Sequence, residues 1–122
     1  MEQNMKRDVA GIAEKDNKLL MFYNQKHNLW EFPGGKVEEG ETDVDALKRE
    51  WREELNCEII IDQYFDYHYS EADGWEVNYY LITPITNWTF KEHSEAKYLT
   101  PDEAMLLNIW PSDWLMVGEF YE

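Results

Sequence analysis

Glu50, Glu53 and Glu54 are spaced i, i+3 and i+4, so on a helix their carboxylates converge along one face. Three like charges on one turn repel unless something cationic sits among them. Oxygen-only ligands suit a hard cation, Mg²⁺ first and Mn²⁺ as its substitute. Arg49 adjoins the cluster, and with Glu41 it can orient the glutamates through a salt bridge without touching a substrate. The chemistry such a face supports is hydrolysis of a diphosphate bond. The phosphate chain must be neutralised, a water activated and the leaving phosphate stabilised, and a divalent ion serves all three needs.

The wider spacing is Gly35, five residues, Glu41, seven residues, Arg49-Glu50, two residues, Glu53-Glu54. This resembles the signature box of the Nudix family, and the lead-in Trp30-Glu31-Phe32-Pro33-Gly34-Gly35-Lys36 is similar to the family's as well. Three positions depart. Trp51 and Cys57 stand where aliphatics are usual, and Asn56 replaces a glycine that follows the helix end. Asn is the next-best residue for a left-handed cap, so the acids and their helix are left intact. The resemblance implies that Glu50, Glu53 and Glu54 ligate the metal, with the Gly34 carbonyl as a further ligand. Glu92, in the stretch Glu92 to Tyr98, is implied as an extra ligand or base on a loop, with Glu95 as the alternative. The resemblance also implies an α/β/α sandwich with a mixed β-sheet between helices.

A chain of 122 residues is expected to form one domain, residues 1–122, with a real core. The formal net charge is −15, which argues against binding a nucleic acid backbone. It also means an anionic nucleotide needs local relief, from metal and from a few placed cations. Lys36 follows the glycine pair and can reach phosphate oxygens. MutT-like members of the family usually carry an Arg at the end of the second strand. Here that place reads Tyr23-Asn24-Gln25-Lys26, and Lys26 is the candidate substitute. There is no run near the roughly 18 apolar residues a membrane span needs. Met1 to Arg7 lacks the apolar stretch of a signal peptide, and the lone Cys57 excludes an internal disulfide, so a cytoplasmic setting is expected. His27, His68 and His93 show no zinc-ligand spacing with Cys57.

The elements follow from periodicity. Val9–Ala13 and Lys18–Tyr23 read as strands around a polar turn at Glu14–Asn17, and Pro33-Gly34-Gly35 as a tight turn. Thr42 is the expected N-cap of a helix to Leu55, with Val44, Leu47, Trp51 and Leu55 as its buried stripe. Cys57–Tyr69 and Trp75–Ile85 read as a hairpin around Ala72-Asp73-Gly74. Trp88–Phe90 and Ala96–Leu99 read as short strands, then Pro101 and Pro111 open two helices.

The stretch from Leu99 to Trp114 resembles the CTP pyrophosphohydrolase-type members of the MutT-like branch. Asp113 stands where a base-contacting Asn is found in purine-preferring members. A carboxylate accepts hydrogen bonds and cytosine offers an amino donor, so Asp113 leans toward CTP or dCTP. An adenine, or an oxidised guanine read by protonated Asp113, remains an alternative, as does a purely structural Asp113 near the start of the last helix. Trp110 or Trp114 is expected to supply a stacking face. The expected activity is Mg²⁺-dependent cleavage of a nucleoside triphosphate to monophosphate and pyrophosphate. Other nucleoside diphosphate derivatives, and a silent nucleotide sensor, are the competing readings. The expected partner is a small nucleotide, with monomer and homodimer both open.

Overall fold

The computed structural model describes residues 6–122, and Met1–Met5, most of the segment read above for a signal peptide, lie outside them. The chain runs β1 (Arg7–Ile12), β2 (Glu14–Lys15), β3 (Lys18–Asn24), β4 (Leu29–Glu31), β5 (Gly34–Lys36), α1 (Asp43–Leu55), β6 (Ile59–Ser70), β7 (Trp75–Pro84), β8 (His93–Leu99), α2 (Pro101–Met105) and α3 (Pro111–Phe120). One sheet has the order β5-β1-β7-β6 and is mixed, because β1 and β7 are parallel and the other pairs antiparallel. In the second sheet β8 takes one edge of β3, and β2 and β4 share the other.

Two apolar cores hold these layers together. One gathers Leu47, Trp51 and Leu55 of α1 against Val9, Phe22 and Ile82. The other gathers Ala104, Met116 and Val117 of the C-terminal helices against Ile12, Met21 and Tyr79. Helices therefore cover opposite faces of a sheet layer, the α/β/α arrangement expected from the sequence. Helix α1 is capped at both ends as its sequence requires. The Thr42 hydroxyl accepts from the Asp45 amide, and Asn56 takes the left-handed conformation at φ 50°. Asp43 ties the start of α1 to the mixed sheet, accepting from the Tyr80 hydroxyl at 2.8 Å and the Asn78 amide at 3.0 Å.

Several expectations are corrected. Pro33-Gly34-Gly35 is not a tight turn: Gly34 and Gly35 lie in β5 and pair with Ala10 and Val9. A Cβ on Gly34 would fall 1.8 Å from the Val9 carbonyl oxygen, so close strand approach is what this glycine serves. Glu14 and Lys15 pair with β3, and the reversal is made by Asp16 and Asn17, both at positive φ. Cys57 is buried but precedes β6, with its thiol 3.3 Å from the Thr86 carbonyl. Trp88–Phe90 forms no strand. Its rings instead pack edge-on against Phe22, which also meets Trp51 and His93. In the helix stripe, Val44 is only half-buried and Ala46 is buried in its stead. Strand β6 is an edge of its sheet, and its pairing with β7 shifts register twice, between Ile61 and Gln63 and between Tyr64 and Asp66.

Candidate active site

Arg49 is the hub of the acidic helix face. Its Nε and Nη2 donate to the two Glu41 oxygens at 2.8 and 2.9 Å, a bidentate clasp. Its Nη1 donates to Glu50 at 3.0 Å and to Glu53 at 3.2 Å, and Nη2 also reaches the Lys36 carbonyl at 3.0 Å. One guanidinium thus locks the helix to the loop before it and to β5. The Arg49 bonds also hold the Glu41 carboxyl below the usual carboxylate range. Glu41 and Arg49 make the salt bridge expected from the sequence.

Glu50 and Glu54 converge within hydrogen-bonding reach of each other. Burial pushes both carboxyls up, and repulsion from Glu50, Glu92 and Glu31 helps push Glu54 up to about 9. Two half-buried carboxylates that resist joint ionisation, with further carboxylates near them, fit a hard divalent cation. Glu53 differs, since its side chain is 61 % exposed and is held by Arg49. Among the described residues, no three acids or histidines are gathered into a preformed metal cage. Glu92 is exposed but within electrostatic range of Glu54. Glu95 instead pairs with Lys97 at 3.2 Å on β8. Gly35 lies directly against Glu50: a Cβ there would stand 2.4 Å from the Glu50 carboxyl carbon.

A cavity of about 290 Å³ opens beside this face. Asp8, Ala10, Val77 and Tyr79 of the mixed sheet border it, as do Phe32, Gly34, Gly35 and the α3 start from Trp110 to Asp113. Of the two expected stacking rings, Trp110 lines it and Trp114 does not. Among the described residues, no Lys or Arg lines it. Lys36 is exposed, beside Asp8 in the strand register, and Lys26 sits in an exposed loop. The loop's His27 ring, not Lys26, is what meets Trp110, at 5.4 Å between centroids. The structure therefore does not bring Lys26 into the pocket.

Asp113 is buried in the first turn of α3 and does not cap that helix. Its Oδ2 accepts from the Phe32 amide at 3.1 Å and its Oδ1 from the Tyr79 hydroxyl at 2.6 Å. When ionised, each oxygen keeps one free lone pair for a ligand. Burial pushes Asp113 up to about 7, against these bonds. Its folded value lies above its unfolded one of 3.8, so the folded state holds the proton more tightly. The resulting stability is present at low pH and is lost as pH rises from about 4 through about 7. Asp113→Asn can still accept from Phe32 and can donate to Tyr79, whose hydroxyl lies 2.9 Å from Ser112 Oγ. This variant should lack that decline. Urea denaturation across the range should show a slope difference of up to about 1.4 kcal/mol per pH unit. Parallel curves would mean that Asp113 does not bind its proton more tightly in the folded state.

Glu31, which lies within the Trp30–Lys36 run, is a site residue that the sequence alone did not single out. Glu31 borders the cavity and accepts from Trp110 Nε1 at 2.8 Å, Asn24 Nδ2 at 3.2 Å and His93 Nε2 at 2.7 Å. Burial alone would raise its carboxyl, but these donors outweigh that and hold it below the usual range. An ionised carboxylate only accepts, so His93 carries its hydrogen on Nε2, leaving its buried Nδ1 without a partner. Spacing in sequence gives no hint of the contact between His93 and Glu31.

Residues 5–120 match the family model of the NUDIX domain. The CTP pyrophosphohydrolase of Escherichia coli K12 is 35 % identical over 119 residues, covering 92 % of this chain and 88 % of that protein. The 8-oxo-dGTP diphosphatase of Buchnera aphidicola subsp. Schizaphis graminum is 36 % identical over 98 residues, covering 75 % and 71 %. Among solved structures, the E. coli ORF135 protein superposes with a TM-score of 0.81 at 32 % identity, covering 96 % of this chain and 90 % of that one.

Proposed function

Because this chain belongs to the Nudix family of pyrophosphohydrolases, in its MutT-like branch, we propose that it cleaves a nucleoside triphosphate to monophosphate and pyrophosphate, with residues 1–122 acting as one catalytic unit. The observation that carries this is the placement of two unlike surfaces side by side. The cavity is walled by aromatic and acidic residues and lined by no basic side chain, so it suits a base and repels phosphates. The neighbouring α1 face suits phosphates once a cation is present. A nucleotide laid across both puts its base against Trp110 and Phe32 and its phosphates along Glu50, Glu53 and Glu54. The CTP pyrophosphohydrolase relative and Asp113's two acceptor oxygens favour CTP or dCTP.

Glu50, Glu53, Glu54 and Glu92, with the Gly34 carbonyl, would hold Mg²⁺ or Mn²⁺, which supplies Lewis-acid polarisation of phosphate oxygens and water. The chain's own groups do the rest. Arg49, fixed by Glu41, keeps Glu50 and Glu53 oriented. Glu50, held between Gly35 and Arg49 Nη1, is the group placed to receive the proton released by the attacking water. Lys36, exposed at the rim between cavity and helix, meets the outgoing phosphates.

Hydrolysis of CTP in ¹⁸O-water should give CMP and pyrophosphate as first products, with one of them carrying the label at the attacked phosphorus. Initial CDP and orthophosphate would rule out this reaction. Lys26, which does not line the pocket, favours a second reading, in which the substrate is a nucleoside diphosphate derivative needing fewer phosphate contacts. A panel including dinucleotides and nucleotide sugars separates the two.

A further inference from the structure

The structure assigns Asp8 a role in reading the base: we propose that it is a second specificity-determining carboxylate of the cavity, selecting a nucleobase with amino donors over one that presents only carbonyl oxygens. This rests on the cavity being the base site. The placement comes from the sheet. Asp8 and Ala10 lie two residues apart on β1, so their side chains share the face that forms the cavity floor. Asp8 pairs in register with Val77 and Ala10 with Tyr79, the residue whose hydroxyl bonds Asp113. Asp8 is thus offset from Asp113's anchor by roughly 6.6 Å of strand, so the two carboxylates can each take one hydrogen of a single amino group.

Asp8 differs from the other two carboxylates of the cavity in what it already does. Glu31 accepts three side-chain donors and Asp113 accepts two hydrogen bonds. Asp8 accepts none among the described residues, and its balancing charge is Lys36 at the neighbouring register position. Burial costs it solvent, and its charge is felt at the Tyr79 hydroxyl inside the same cavity. Both Asp8 oxygens are therefore free for a ligand. The exocyclic amino group of cytosine donates to such an acceptor; the carbonyl that replaces it in uracil is repelled.

Asp8→Asn keeps shape, removes charge and adds an amide that can donate to a carbonyl. The kcat/KM ratio for CTP over UTP should fall at least ~10-fold, mainly through KM, with thermal stability held or raised because a half-buried charge is gone. Asp8→Ala should also lose preference for CTP, but without the gain in UTP affinity that the amide gives. Calorimetric titration with CMP and UMP supplies the same comparison without turnover. A CTP/UTP ratio and a CMP/UMP ratio both unchanged within twofold in Asp8→Asn would overturn the assignment. A wild-type protein that turns over no nucleotide, yet binds CMP over UMP through Asp8, would sink the hydrolase reaction proposed above and sustain this one.

Discussion

Glu54→Gln should lower kcat/KM by at least ~10²-fold while making the metal-free protein more stable. Glu54 is the carboxylate most hemmed in by others, with Glu50 in contact and Glu92 and Glu31 within electrostatic range. Its neutral isostere keeps the packing and removes the charge that a divalent ion would meet. The stability gain follows from linkage. The folded value of about 9 exceeds the unfolded 4.5, so the wild type is stabilised at low pH and loses that as pH rises through about 9. The variant lacks the loss, and its melting-temperature advantage without added metal should grow from about pH 4.5 and be largest at about pH 9. Glu53→Gln, at a side chain 61 % exposed and tied to Arg49, should cost less activity and leave stability level. Near-normal turnover in Glu54→Gln at saturating Mg²⁺ would remove Glu54 from the reaction.

Gly35→Ala should be comparably damaging, for a steric reason. The added methyl needs space that Glu50 occupies at 2.4 Å, and Glu50 is itself bonded to Arg49. Either Glu50 is expelled from its position or β5 shifts away from β1, and each outcome separates the helix face from the cavity. A fall in kcat of ~10²-fold with retained secondary structure is expected, since misplacement by about 1 Å has that order of effect. Gly40→Ala is the control. Gly40 sits at φ +84° with nothing near its missing Cβ, so the change should cost about 1 kcal/mol of stability and leave kcat unchanged. Equal kcat for Gly35→Ala and wild type would show that Glu50 tolerates displacement.

Local rules made much of this molecule legible. The caps at Thr42 and Asn56, the Pro-opened helices and the hairpin around Asp73-Gly74 each depend on a few neighbouring residues, and each formed where the sequence placed it. The acid spacing put Glu50 and Glu54 together for the same reason. Contacts between distant segments were not legible. Glu31 and His93 are 62 positions apart, and Asp113 and Phe32 are 81, so nothing local announces either bond. Trp88 and Phe90 have strand-forming side chains, but here their rings pack on Phe22 and no ladder forms. Pro33-Gly34-Gly35 carries a turn composition. It became β5 because glycine also permits two backbones to approach closely, and only the strand beside it reveals which use applies.

The two register shifts of β6 bear on solubility. A strand of 12 residues with an open edge is a template onto which another extended chain can pair. Each bulge interrupts the regular row of amides and carbonyls and twists the strand, so an incoming chain meets only short uninterrupted stretches. Asp62 and Asp66, beside the two breaks, add charge where an approaching strand would have to lie. The chain thus carries an aromatic-rich edge, with Tyr64, Tyr67 and Tyr69 each about half exposed, without offering the flat ladder on which fibrils grow.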